Sequence, residues 1–139
     1  MMDKERIKKE IIDLEKYMQR LSDMLPQSRE RYIRSDTIVK NAVERNLQLI
    51  SDKEFDLLAL LHKGLAEGLP GNEISMLDQL KEHLGEGVIK PVRDRRALRN
   101  MLIHAYSDAS YDDQAYSQAQ DLGDVKKLVS ETKKIISKR

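Results

Sequence analysis

The chain has 139 residues, 25 basic against 24 acidic side chains, and no cysteine. This length predicts one domain over residues 1–139 with a core of its own, and the lack of cysteine excludes disulfides and thiolate metal sites. The net charge of +1 does not indicate a nucleic-acid-binding protein, so any basic patch must be local. The N-terminal stretch is charged, and no apolar run approaches the roughly 18 residues of a membrane span. We therefore expect a soluble, cytoplasmic protein with no membrane partner.

Apolar side chains spaced three and four residues apart predict a first amphipathic helix from Asp3 to Leu25, which Pro26 ends. A second helical region follows over residues 27–67. It is either one long bent helix or two helices joined at residues 51–53, where Ser and Asp are residue types that kink or cap helices. The apolar pattern does not decide between these alternatives.

Glycine and proline mark the next boundaries. Residues 68–71 predict a break, Asn72 is typical of a helix N-cap, and the short helix that it starts ends at residues 85–87. A fourth helix is predicted from Val88 to Ser107, with Pro91 tolerated in its first turn.

The last predicted helix begins near residues 111–113 and runs into a basic C-terminal tail, with Gly123 inside it. Glycine, proline and aromatic residues are scarce, while Leu, Ile, Lys and Glu are abundant, and this composition favours helices. The predicted fold class is therefore all-α, as an antiparallel bundle of four to five helices.

Polar groups are concentrated near the end of the fourth helix, where residues 99–106 read R-N-M-L-I-H-A-Y. At about 100° per residue, Arg99 and Tyr106 fall about 20° apart, while Asn100 and His104 form a neighbouring stripe. The apolar residues between them take the opposite arc. One face can thus enter a core while the other presents a cation, an amide, an imidazole and a phenol, an arrangement typical of a functional site.

The same helix is rich in arginine, because Arg93, Arg95 and Arg96 precede Arg99 within seven residues. Three of the four share the polar arc with His104, and Arg95 lies at its edge. A guanidinium fork suits phosphate, and a histidine can act as general acid or base near neutral pH. Together they suit metal-independent RNA cleavage, in which a base activates the ribose 2′-OH and an arginine stabilises the phosphorane. On chemistry alone, a solvated arginine face and a structural histidine remain open.

The histidines do not predict a metal site. An E-x-x-H motif is absent, because Ala59, Leu80 and Met101 stand three residues before the three histidines. We interpret His62 and His83 as structural or surface residues. We expect neither a metal nor another cofactor.

Two blocks of the sequence resemble the HepT-like toxins of the HEPN superfamily. Residues 99–106 match the R-N-x-x-x-H-x-Y signature of that family, on the penultimate long helix. Residues 36–49, D-T-I-V-K-N-A-V-E-R-N-L-Q-L, resemble the family's second-helix block, an alanine-rich run into E-R-N-L-Q. The blocks occur in the family's order, and the resemblance covers most of residues 5–135. The sequence departs from the family at residues 51–56, which are more charged than the apolar run usual there.

The resemblance implies a helical bundle that forms a homodimer. In that family the R-x-x-x-x-H motifs of two protomers meet in a cleft and act as a metal-independent endoribonuclease. The toxin is paired with an antitoxin, a minimal nucleotidyltransferase, which modifies the motif tyrosine with AMP. The implied partners are therefore an RNA substrate, a nucleotidyltransferase antitoxin and a second copy of the chain.

The resemblance also implies roles for individual residues. Arg99 would bind and stabilise the scissile phosphate, His104 would be the acid/base residue, and Tyr106 would be the target of AMP modification. The residues expected to support phosphate binding are Asn100, Arg96 and Arg93. Two alternatives remain open: a non-catalytic HEPN binding module that docks a nucleotidyltransferase or RNA, and a purely structural bundle.

Overall fold

A computed structural model describes residues 2–65, 71–105 and 108–139 of the chain. Within these ranges the chain forms seven α-helices and one short 3-10 turn at Ala109–Tyr111, and no strand. The helices are α1 Lys4–Met24, α2 Arg29–Ile33, α3 Thr37–Gly64, α4 Glu73–Leu84, α5 Glu86–His104, α6 Asp112–Gln120 and α7 Gly123–Ser137. The predicted all-α fold class is confirmed, with five longer helices and two shorter ones.

Helix α1 has the predicted limits and the predicted buried stripe. Asp3 Oδ1 accepts a hydrogen bond from Arg6 N at 3.2 Å and so caps the first turn. Pro26 follows the C-cap residue, Leu25. The buried side chains recur every three or four positions, at Ile7, Ile11, Leu14, Met18 and Leu21.

The second helical region divides at residues 34–36 and is continuous through residues 51–53, so it matches neither of the two alternatives that the sequence left open. Asp36 accepts a hydrogen bond from a backbone N–H of α3 at 3.0 Å and starts that helix. Helix α3 then runs without interruption through Ser51 and Asp52. Neither residue caps a helix end, because Ser51 is buried within the bundle and the Asp52 carboxylate bonds to arginines of α5.

The boundary between α4 and α5 is a single residue. Asn72 caps α4 as predicted, and Gly85 ends it with a φ of 88°, a left-handed conformation that glycine adopts without steric cost. Helix α5 begins directly after it, two residues before the predicted Val88. Pro91 consequently lies in the second turn, where its missing N–H leaves the carbonyl of the exposed Gly87 without its helical partner.

The predicted last helix is two helices, α6 and α7, separated at Asp121 and Leu122. Gly123 is the first residue of α7 and does not lie inside a helix interior. Its N–H donates to Asp121 Oδ1 at 2.9 Å, and this short turn redirects the chain. The basic tail is helical as far as Ser137.

Helix α5 lies at the centre of the packing, since it contacts α3, α4, α6 and α7. It runs antiparallel to α3: Glu54 faces Arg95, and Asp52, earlier on α3, faces Arg96 and Arg99, which come later on α5. The helix that carries the motif is therefore held on several sides, and one of its polar edges lies over α3. No described helix is both long and apolar enough to cross a membrane.

Candidate functional site

The arginines of α5 point to different partners, and Arg95 enters the core. Its side chain is 2 % exposed, and its Nη1 donates to both oxygens of Glu54 at 3.0 and 2.9 Å. Its Nη2 donates to Asp124 at 2.6 Å, which joins α7 to α3 and α5. Burial raises the pKa of the Glu54 carboxyl to about 7, although the Arg95 charge opposes this shift. Arg95 is thus a structural residue, and not part of an exposed polar face.

Arg93 remains at the surface. Its guanidinium lies 3.2 Å from Asp78 Oδ1 and 3.6 Å from Glu86 Oε1, and its side chain is 40 % exposed. Both carboxylates are themselves more than half exposed. Exposed ion pairs of this kind are weak, so solvent or a stronger anion can replace them.

Arg96 is fixed more firmly, because each of its three nitrogens donates to a carboxylate. Nε and Nη2 bond to the two oxygens of Glu73 at 2.9 and 3.0 Å, and Nη1 bonds to Asp52 at 2.9 Å. The guanidinium carbon also lies 4.2 Å from the centroid of the Phe55 ring, within cation–π range. Hydrogen bonding to Glu73 and the charges of Glu73 and Asp52 raise the pKa of Arg96. Arg96 therefore ties α4 to α3 across α5.

Arg99, the first residue of the motif, uses two of its three nitrogens in hydrogen bonds to described residues. Its Nε donates to Asp52 Oδ1 at 3.1 Å, and its Nη1 donates to Asn100 Oδ1 at 3.2 Å. Its Nη2 has no hydrogen-bond partner within the described residues. The Arg99 side chain is 27 % exposed, so part of it is accessible to solvent.

His104 is the last residue of α5, and both it and Asn100 are exposed. The His104 ring has no hydrogen-bond partner in the part of the chain that the structure describes. On a helix, a separation of five residues places it about 140° around the axis from Arg99 and about 7.5 Å along it. The two side chains thus share one end of α5, with Arg99 turned towards α3. Tyr106 lies outside the described residues.

An open groove of about 440 Å³ lies between α4 and α5 and reaches the motif. Its residues from α5 are Arg93, Arg96, Ala97 and Asn100. Opposite them stands Ile74 of α4, an apolar side chain that is 66 % exposed. The motif is consequently accessible along α4 as well as at the end of its own helix.

Asp52 is the residue of this site that sequence reasoning missed. It stands 47 positions before Arg99, so no local spacing connects the two. Its type and its place between helical stretches suggested a cap. The available signal was the unusual charge of residues 51–56, which in the structure supplies partners for the arginines of α5.

Among the described residues, no group of three or more His, Cys, Asp and Glu side chains is arranged to hold a metal ion. His62 is buried and shares a hydrogen bond with Gln79, while His83 is exposed on α4. Both positions agree with the interpretation of these histidines as structural or surface residues.

Comparison with known families gives one finding. The profile of the Ribonuclease HepT-like family matches residues 14–132, which include the second half of α1, the whole of α2 to α6, most of α7 and the motif. No curated protein and no solved structure matches the chain. Since the family profile covers far more than half of the 139 residues, the chain belongs to the HepT-like ribonuclease family.

Proposed function

We propose that this protein is a metal-independent endoribonuclease and the toxin of a toxin–antitoxin pair, active in the cytoplasm as a homodimer. The observation that carries the proposal is the hydrogen bonding of the Arg99 guanidinium. Two acceptors orient this guanidinium, no described residue accepts a hydrogen bond from Nη2, and His104 stands exposed at the same end of α5. A cation prepared for phosphate and an accessible imidazole are what this chemistry requires.

In the proposed reaction, the neutral His104 imidazole takes the proton of a ribose 2′-OH, and the resulting oxygen attacks the adjacent phosphorus. Arg99 donates to the non-bridging oxygens and stabilises the extra negative charge of the phosphorane. The P–O5′ bond then breaks, and the leaving oxygen takes a proton. In a dimer, the imidazolium of one protomer and the imidazole of its partner can serve as acid and base.

The residues expected to support phosphate binding divide into two classes. Asn100 bonds to Arg99 and is exposed, so it can position either the guanidinium or the substrate. Arg93 and Arg96 are both engaged by carboxylates, at 2.9 to 3.6 Å. A phosphate that binds either arginine directly must therefore displace a carboxylate, which is easier at the exposed Arg93.

Exposed apolar side chains support the proposed homodimer. Ile103, next to His104, is 44 % exposed, and Ile38 in the first turn of α3 is 79 % exposed. The antiparallel packing of α3 and α5 places these two turns towards the same end of the bundle. A second copy that covers this end would bring two motifs together.

The test of cleavage compares the wild type with His104→Ala in the presence of EDTA. We expect the wild type to cleave RNA, and the variant to lose a factor of about 10² to 10⁴ in rate, the usual contribution of an acid–base group. The matched control is His83→Ala, an exposed histidine of α4, which should retain activity. Circular dichroism checks that both variants stay helical. A wild type that cleaves no cellular RNA would instead favour a non-catalytic HEPN module that docks a nucleotidyltransferase or RNA.

The proposed switch is the addition of AMP to Tyr106 by the nucleotidyltransferase antitoxin. Tyr106 stands two residues after His104 in the sequence. An AMP adduct on Tyr106 would add bulk and negative charge beside the site and so oppose RNA binding. Incubation with the antitoxin and ATP should add AMP mass to the wild type and to a Tyr111→Phe control. Tyr106→Phe should stay unlabelled, and equal labelling of this variant would refute the assignment.

A further inference from the structure

We propose that Asp52 is a positioning residue for Arg99, which sets the direction in which the guanidinium meets the scissile phosphate. This inference rests on the proposed ribonuclease function. It concerns a residue of α3, outside the motif, that does not itself contact the reacting atoms.

The first observation is the edge of Arg99 that Asp52 occupies. Asp52 Oδ1 accepts from Nε, the nitrogen nearest the aliphatic stem, at 3.1 Å. Because the guanidinium is planar, a bond at Nε together with the bond from Nη1 to Asn100 fixes the plane and its rotation about the stem. No described residue accepts a hydrogen bond from Nη2, and this end of the fork is the one that we expect to meet phosphate. A carboxylate on Nη2 would compete with the substrate there.

The second observation is that Asp52 is itself anchored. The same Oδ1 accepts from Arg96 Nη1 at 2.9 Å, and Arg96 is held in turn by both oxygens of Glu73 and by the Phe55 ring. The side chain of Asp52 is 36 % exposed, so without this contact it would be free to change rotamer. The contacts from Glu73 through Arg96 to Asp52 thus connect the Arg99 side chain to α3 and α4 and restrict its movement.

The third observation concerns charge. A carboxylate that served Arg99 alone would compete with phosphate for its positive charge. Here one oxygen of Asp52 is shared by two guanidinium groups, so Arg99 does not hold this carboxylate alone. Asp52 contacts Arg99 through a single hydrogen bond at Nε, and not through a bidentate pair at the terminal nitrogens.

The test compares Asp52→Ala with Asp52→Asn, which retains an oxygen acceptor but not the charge. Loss of orientation should lower kcat of Asp52→Ala by about 10- to 100-fold, the scale of a small misplacement in an active site. KM should stay the same or fall, because a negative charge has left the RNA-binding surface. Asp52→Asn should keep kcat within about 3-fold of the wild type, since it rescues the geometry. The matched control is Asp56→Ala, one turn further along α3, which should leave kcat unchanged.

A readout without RNA separates the two proposals. The Nε–H resonance of Arg99, assigned with Arg99→Lys, should exchange slowly with solvent in the wild type and in Asp52→Asn, and quickly in Asp52→Ala. Unchanged exchange in Asp52→Ala would overturn the positioning role, and so would a kcat of Asp52→Asn as low as that of Asp52→Ala. If the wild type cleaves no RNA, the proposed function fails, while the exchange rates still decide whether Asp52 orients Arg99.

Discussion

The replacement Arg95→Met tests the buried ionic cluster that joins α3, α5 and α7. Methionine retains an unbranched apolar stem of similar length, so the change mainly removes the guanidinium. Glu54, whose side chain is fully buried, then loses the partner of both its oxygens, and Asp124 loses a 2.6 Å contact.

The size of the effect follows from burial. Removing one partner of a buried ion pair costs about 3–5 kcal/mol, because the remaining charge stays in a poorly solvated place. A domain of this kind has a free energy of unfolding of only about 5–15 kcal/mol. The matched control is Arg93→Met, two residues earlier on the same helix. Its ion pairs are exposed, so the cost should be below about 1 kcal/mol.

The assay is urea unfolding followed by helical circular dichroism at pH 8. At this pH Glu54, with a pKa of about 7, is mostly ionised in the wild type. We expect Arg95→Met to lose about 3 kcal/mol more than Arg93→Met. Values within about 1 kcal/mol of each other would show that the buried contacts of Arg95 do not hold the three helices together.

Two further predictions concern the titration of Glu54 and the orientation of α5. Burial raises the pKa of Glu54 to about 7, above its value in the unfolded chain, so the folded state binds the extra proton and stability falls as pH rises from about 5 to about 7. Between pH 5 and pH 8 the wild type should therefore lose about 2–3 kcal/mol more than Glu54→Gln in urea unfolding, and parallel pH profiles would contradict this. Leu102→Ala should cost about 2–5 kcal/mol because Leu102 is fully buried. Ile103→Ala should cost below about 1 kcal/mol, and equal thermal destabilisation by the two variants would exclude this orientation.

Most helix limits could be predicted because they depend on neighbouring residues. Asn72 caps the helix that it was expected to cap, and Pro26 stands where the first helix stops. Residues 51–53 could not be assigned from the sequence for a physical reason. Ser51 and Asp52 are residue types that cap helices, but Ser51 is buried, Asp52 bonds to arginines of α5, and the chain stays helical through both.

Helical periodicity could not predict which residues surround the arginines of α5. Angular spacing separates a polar arc from an apolar one, but it does not show what faces that arc. Arg95 is buried because Glu54 and Asp124 neutralise it there, and these residues are 41 and 29 positions away. The family was identified from the sequence and is confirmed, whereas the roles of Arg99 and His104 stay predictions.

The single-residue junction at Gly85 has a mechanical consequence. Only one residue connects helices α4 and α5. Helix α4 carries Glu73, which accepts two hydrogen bonds from Arg96. A tilt of α4 at Gly85 would therefore move Arg96. Through Asp52 it would also move Arg99, the arginine proposed to bind RNA. A partner that binds the outer face of α4 would therefore act on the position of Arg99 without contacting it.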